Sequence, residues 1–284
     1  MNVINDFLRS QTDDGAYLYG LMGTLGVVLM VLVVVFYLIR TRANWLTWIK
    51  GVAIAAITYY FNPYAHWFMV WYRDLIPKYD NLNEAANLAL AFTLLPLLVW
   101  LCAKTFNTST GFSGDVVALA SLGFHVLGRS GCLFTGCCYG FPCEWGWYSH
   151  DALDNAVHSA INQGVDPSGL NTPTNYFPTS LVESLFTLAI LVFLIVRICR
   201  KNYTPDGKNL PYFLLFYGTC RFFSEITRES TRDEWLFWRI SDIHFHMVLM
   251  AVVGGLMLWF IAKKERAAAV GEGPSLPVLK GKRT

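Results

Sequence analysis

Charge is what this sequence has little of. Only 15% of its 284 residues are Asp, Glu, Lys or Arg, against about a quarter in soluble domains. Hydrophobic residues make up 54%, and mean hydropathy is +0.39. The deficit excludes an ordinary water-soluble domain and points to a membrane protein. Basic stripes are also missing outside short connections, which removes nucleic acid from the expected partners. The residues before the first apolar run carry Asp6, Asp13 and Asp14 where a signal peptide would carry a basic region, so that run reads as a retained span. Seven cysteines in a chain of this length are too few for a disulfide scaffold, although four of them crowd into residues 132–143.

What is present is a series of apolar runs, each near the roughly 20 residues needed to cross the hydrocarbon core. They predict an all-α, polytopic integral membrane protein of about seven transmembrane helices, near 17–39, 46–71, 84–103, 115–134, 179–199, 210–226 and 240–262. The sixth is the weakest, because Arg221 and Glu225 interrupt it; six spans result if it only dips into the membrane. Lys and Arg gather between spans one and two (Arg40, Arg42, Lys50), between spans five and six (Arg197, Arg200, Lys201, Lys208) and after span seven (Lys263, Lys264, Arg266). The 37 residues from Phe141 to Phe177 hold four acids and no Lys or Arg. By the positive-inside rule the N-terminus and this long loop are expected outside and the C-terminus in the cytoplasm. The domain expectation is one membrane-embedded unit, 1–266, with an outer loop at 141–178, followed by a disordered cytoplasmic tail at 267–284.

Ionisable residues at membrane depth are costly and mark candidate functional positions. Arg129 follows His125 by four residues, placing both on one helix face. Glu183 lies about one turn into the fifth span. In "RFFSEITR", Arg221, Glu225 and Arg228 share one face at i, i+4 and i+7, a spacing that permits an internal Arg–Glu–Arg ladder. Such a set can be a structural network joining helices. It can also hold a phosphate, because guanidinium binds phosphate bidentately and arginines outnumber the nearest acids. Gly128, Gly131, Gly136 and Gly140 surround Arg129 and would let backbone N–H groups approach an anionic headgroup. Together these features imply a phospholipid headgroup as ligand.

Three segments, in order, resemble the phosphatidylglycerol:prolipoprotein diacylglyceryl transferases. "GRSGCLFTGCCYG" is similar to that family's Gly-Arg-x-Gly-Asn-Phe-x-Asn-x-Glu-x-x-Gly signature, in which some relatives carry Cys for Asn. "FPTSLVES" resembles its His-Pro-[Thr/Ser]-x-Leu-Tyr-Glu segment, and "YGTCRFFSEITRES" its Tyr-Gly-x-x-Arg-Phe-x-x-Glu-x-x-Arg segment. The resemblance covers roughly residues 115–262. It implies seven spans, an outside N-terminus, a multi-pass place in the bacterial cytoplasmic (inner) membrane and a part in lipoprotein biosynthesis. The implied reaction moves the diacylglyceryl group of phosphatidylglycerol to the lipobox cysteine thiol of a prolipoprotein, forming a thioether and releasing glycerol 1-phosphate. Partners are then phosphatidylglycerol, the prolipoprotein signal-peptide region and membrane lipids, with no cofactor and no metal. Carried over by position, Arg129, Arg221, Glu183, Glu225 and Arg228 are catalytic candidates, joined by His125. Arg129, Gly131, Cys132, Gly140 and Arg221 are substrate-binding candidates. The alternatives are a phospholipid-headgroup transferase or hydrolase with another acceptor, and a non-catalytic membrane protein that binds anionic lipid.

The chain departs from that family in several places. Cys132 replaces the usual Asn, Cys137 stands where the signature has Glu, and Phe177 replaces the His before Pro178. The family's upstream His-Gly-Gly segment, which supplies a candidate base, is absent from "NLALAFTLLPLLVWLC"; His125 and His66 are the nameable substitutes. The run Cys132, Cys137, Cys138, Cys143 lacks the paired knuckles of a structural zinc site. A disulfide to Cys143 on the outer side and a packing role remain open. In the outer loop, His150 and His158 fit a solvated cap with a short helix, or a lid that recognises the peptide around the lipobox cysteine or the lipid headgroup.

Overall fold

The computed structural model describes residues 15–75, 91–136, 138–147, 175–201, 203–228, 235–237 and 240–270; among the helical ones, side chains of 15–16, 62–75, 242 and 269–270 are excluded. Seven α-helices lie wholly within these residues: α1 (Gly15–Arg40), α2 (Trp45–Leu75), α3 (Leu95–Thr105), α4 (Thr110–Thr135), α5 (Thr179–Cys199), α6 (Asn209–Ile226) and α7 (Asp242–Val270). The extended pieces are small: β1 (Pro142–Trp147) and an antiparallel pair of β2 (Trp235–Phe237) with β3 (Ile240–Ser241). Among the described residues, four segments are long and apolar enough to cross a membrane, Tyr17–Arg40, Thr110–Thr135, Thr179–Cys199 and Ile243–Ala268. The molecule is an all-helical integral membrane protein in this sense. The Ala-rich turn after Arg266 continues α7 to Val270.

Local chemistry sets the helix ends. Asn44 Oδ1 accepts from the Thr47 backbone N–H at 2.8 Å at the start of α2, and Ser109 Oγ accepts from Phe112 N–H at 3.1 Å at the start of α4; both are side-chain caps on otherwise unpaired helix donors. Pro96 occupies the first turn of α3, where its missing N–H costs nothing. Gly136, at φ 74°, closes α4 in the left-handed conformation.

The core is built around α4. Of its apolar window 72% is buried, against 33%, 39% and 17% for the other three candidate spans, so α4 is the central post and the others face outward. Its contact with α1 depends on glycine at both surfaces. A Cβ on Gly123 would lie 2.8 Å from Met30 Cα, and one on Gly26 would lie 2.8 Å from Phe124 O. Small residues of this kind let helix backbones approach where no hydrophobic force separates protein from lipid. The outward faces carry exposed Leu32, Ile39, Leu185, Val196, Leu256 and Phe260, as a hydrocarbon surround requires.

At one end of the bundle Asp115, fully buried, accepts from Tyr37 Oη at 2.9 Å and from Tyr203 Oη at 2.6 Å. Burial and the adjacent Asp115 raise the Tyr203 phenol, keeping it a donor. Arg197 pairs with Asp206 and donates to Asn209, whose amide donates to Tyr203 at 2.8 Å. This network ties α1, α4, α5 and α6 together at that end, leaving the other end to gather the arginines.

Candidate active site

Beyond Gly136 the chain turns back and is clamped between the entry to α5 and the exit from α6. Gly140 N donates to Phe177 O at 2.9 Å, Phe177 N to Phe141 O at 2.9 Å and Phe141 N to Thr227 O at 3.0 Å. Gly140 also bridges Arg228 in antiparallel fashion. The position demands glycine: an added Cβ would meet Thr179 Oγ1 at 2.6 Å and both Phe177 Cβ and Thr227 O at 2.8 Å. Three separate segments of sequence are drawn to one point by this clamp.

That point holds five ionised side chains, all buried. Glu183, from α5, has Oε2 2.8 Å from Arg129 Nε of α4 and pairs with Arg221 of α6 through Oε1. Arg221 Nη2 also reaches Glu225 Oε2 at 2.5 Å, and Arg228 Nη1 lies 3.4 Å from the same oxygen. Ser224 donates to Glu183 Oε1 at 3.2 Å. The Arg129 Nε–Glu183 and Arg221 Nη2–Glu225 contacts are charge pairs without hydrogen-bond alignment, so those N–H groups are aimed elsewhere than at their carboxylates. Among the described residues, three guanidiniums and two carboxylates gather in a low-dielectric interior, where buried charges require counter-charges.

The structure therefore brings Arg129, Glu183, Arg221, Glu225 and Arg228 into one network. His125 lies one turn before Arg129, buried, with Nε2 2.8 Å from Tyr217 Oη. It forms part of the wall of a small cavity of about 30 Å³ whose other lining includes Tyr59, Phe92 and Phe124. Gly131 lies at the α1 contact, where a Cβ would meet Tyr19 Cδ2 at 3.0 Å and Met22 Cβ at 3.3 Å. Cys132 is buried with its sulfur 3.9 Å from Arg129 Nη1. The side chain of His66, Cys137, and His150 and His158 with most of the outer loop lie outside the described residues. Cys143 is a free thiol, and its burial pushes that thiol above its ordinary range despite a hydrogen bond to the Gly146 backbone.

Sequence reasoning missed Cys138. It stands at φ 60°, and its sulfur accepts from Arg228 Nη2 at 2.8 Å and from Arg129 Nη1 at 3.4 Å. The left-handed turn at Gly136 and Cys138 redirects the chain, so the cysteine facing the arginines is not legible from alignment to the signature. Ser224 and Tyr217 were also missed, although both share a helix face with Arg221 at i+3 and i−4. A second small cleft, of about 20 Å³, opens beside Cys132 and Cys138, walled by Tyr139, Trp147, Tyr176 and Phe177.

The prolipoprotein diacylglyceryl transferase family model matches residues 15–261. The chain belongs to this family. A Dehalococcoides mccartyi protein named phosphatidylglycerol–prolipoprotein diacylglyceryl transferase is 26% identical over 253 residues, covering 87% of this chain and 90% of its own. A Clostridium perfringens protein named phosphatidylglycerol–prolipoprotein diacylglyceryl transferase 2 is 28% identical over 145 residues, about half of each chain (51% and 50%). One from Symbiobacterium thermophilum, bearing the first of these names, is 28% identical over 150 residues, 52% of this chain and 51% of its own. The family is one of transferases, and the arginine network occupies the matched region.

Proposed function

We propose that this protein transfers the diacylglyceryl group of phosphatidylglycerol to the lipobox cysteine thiol of prolipoproteins, releasing glycerol 1-phosphate. Family membership supports the reaction class. The observation that carries the site assignment is the convergence of the buried Arg129, Arg221 and Arg228 on Glu183 and Glu225. Guanidinium groups suit a phosphodiester, which they bind bidentately.

The chemistry is attack of the acceptor sulfur on a glycerol carbon, forming an S–C bond as the C–O bond to phosphate breaks. Charge grows on the leaving phosphate, and preorganised guanidiniums in a water-poor site stabilise it more in the transition state than in the bound lipid. Arg129 and Arg221 are the phosphate ligands in this reading, with Glu183, Glu225 and Arg228 fixing their planes. His125 lines the small apolar cavity and is held by Tyr217. Cys132 lines the second cleft, Gly131 packs against α1 and Gly140 sits in the clamp.

The same reading has seven spans, with the N-terminus and the 141–178 loop outside and the C-terminus in the cytoplasm of a bacterial inner membrane. The distribution of Lys and Arg supports this orientation. The acceptor thiol then arrives from the signal-peptide region of a prolipoprotein on the outer side.

The test uses purified protein in detergent containing phosphatidylglycerol with a lipobox peptide. Mass spectrometry should find the peptide heavier by one diacylglyceryl group with wild type and not with Arg129→Ala. Absence of the adduct with wild type overturns the reading.

A further inference from the structure

Ser224 stands on α6 three residues after Arg221, and its hydroxyl is buried. The Oγ accepts from Arg221 Nη1 at 3.3 Å and donates to Glu183 Oε1 of α5 at 3.2 Å. These are the same nitrogen and oxygen that pair directly across the α5–α6 contact, so the three atoms close a triangle. The Arg221 backbone carbonyl, 3.1 Å away, is the alternative acceptor for the single hydroxyl proton. That back-bond is open to any helical serine, whereas the contact across to α5 is particular to this one. The backbone of Ser224 is held as well. Thr227 Oγ1 donates to its carbonyl at 2.6 Å and lies 3.2 Å from Thr179 Oγ1 at the start of α5. Alanine would favour the helix more, and a buried hydroxyl is costly unless it is bonded. Serine here is explained by what its oxygen holds.

We propose that Ser224 is a positioning residue of the transfer, whose hydroxyl sets the plane of the Arg221 guanidinium and the rotation of the Glu183 carboxylate. The proposal rests on the reaction given under Proposed function. Glu183 holds Arg221 through Nη1 and Glu225 holds it through Nη2. Two such points leave the plane free to swing about the line between them. A second acceptor on Nη1 removes that freedom, because both N–H bonds of that nitrogen lie in the guanidinium plane. The same hydroxyl gives Glu183 Oε1 a second donor, which keeps Oε2 turned toward Arg129 Nε, 2.8 Å away. Ser224 thus acts on the phosphate through Arg221 and Glu183. Charge on that phosphate grows during the reaction, so a misaligned donor loses more in the transition state than in the bound lipid.

The peptide assay, run beside thermal unfolding in detergent, tests this. Ser224→Ala should lose roughly 10–100-fold in kcat, the scale of one hydrogen bond to a charged group, with the KM for phosphatidylglycerol and the melting temperature little changed. Ser224→Cys fills similar space with a weaker donor and acceptor and should lose about as much, whereas Ser224→Thr should recover part of the rate. In an Arg221→Lys background, where no planar fork remains to be set, adding Ser224→Ala should cost far less than it does in wild type. Wild-type kcat in Ser224→Ala, full activity in Ser224→Cys, or the same fold-loss in both backgrounds overturns the proposal. A fall in melting temperature that accounts for the lost activity also overturns it. If alanine prevents folding, the cysteine variant decides alone. A wild type that makes no thioether overturns the transferase reading itself, whereas failure of the positioning role leaves wild-type product intact.

Discussion

Arg129 and Glu183 meet across the α4–α5 contact with Nε and Oε2 2.8 Å apart, and the other Glu183 oxygen pairs with Arg221 from α6. One carboxylate thus sets the separation of the two arginines assigned to phosphate. Replacing it with the isosteric amide leaves three guanidiniums facing one carboxylate. Glu183→Gln is expected to cost about 3–5 kcal/mol, as when one partner of a buried pair is removed, and to abolish transfer. Thermal unfolding in detergent, read beside the peptide assay, checks both.

Arg221 engages Glu183 and Glu225 with different nitrogens of its planar fork. Lysine keeps the charge and loses the fork. Arg221→Lys should therefore fold and yet lose roughly 10²–10³-fold in kcat/KM, the scale of one lost transition-state donor. Full activity in that variant would remove the bidentate argument.

Of Gly23 in α1 and Gly140 in the clamp, only Gly140 is hemmed in. Its Cβ would collide with Thr179, Phe177 and Thr227, whereas nothing lies within 4 Å of a Cβ at Gly23. Gly140→Ala is expected to destabilise by about 1–3 kcal/mol, as overpacking does, and to depress activity by opening the clamp. Gly23→Ala should match wild type in melting temperature and rate.

Tyr37 and Tyr203 donate to Asp115 at the opposite end of α4 from the arginines. Tyr37→Phe removes one neutral donor and should lower stability by about 1 kcal/mol without changing kcat. A large kcat effect would mean that this end of the bundle is coupled to the chemistry.

Burial holds the Cys143 thiol above its usual range, and only the thiolate alkylates. Labelling of Cys143 at pH 7 should be slow and should rise about tenfold per pH unit above neutrality, measured on its peptide by mass spectrometry. Fast, pH-independent labelling would contradict the burial argument.

The hydrophobic runs made the helices legible, since spans of apolar residues have few other uses, and the i, i+4, i+7 spacing of Arg221, Glu225 and Arg228 exposed one face of the network in advance. Glu183 and Arg129 were legible as charges at membrane depth, but their pairing depends on α4 and α5 packing side by side, which no local pattern encodes. The roles of glycine were harder to separate. Gly131 reads as a headgroup cradle beside Arg129, and the structure puts it against Tyr19 and Met22 of α1. Cys138 was hidden because two left-handed residues, Gly136 and Cys138 itself, redirect the chain within three positions. A register read from the signature could not show which sulfur faces the arginines.

The most direct measurement of the buried arginine network's role is the stoichiometry of glycerol phosphate release, followed by ³¹P NMR with phosphatidylglycerol and a lipobox peptide. Wild type should release one glycerol 1-phosphate per thioether formed, none with a Cys→Ser peptide, and none from the Arg129→Ala or Arg221→Ala variants. Release that continues without an acceptor thiol, or that survives loss of either arginine, contradicts it.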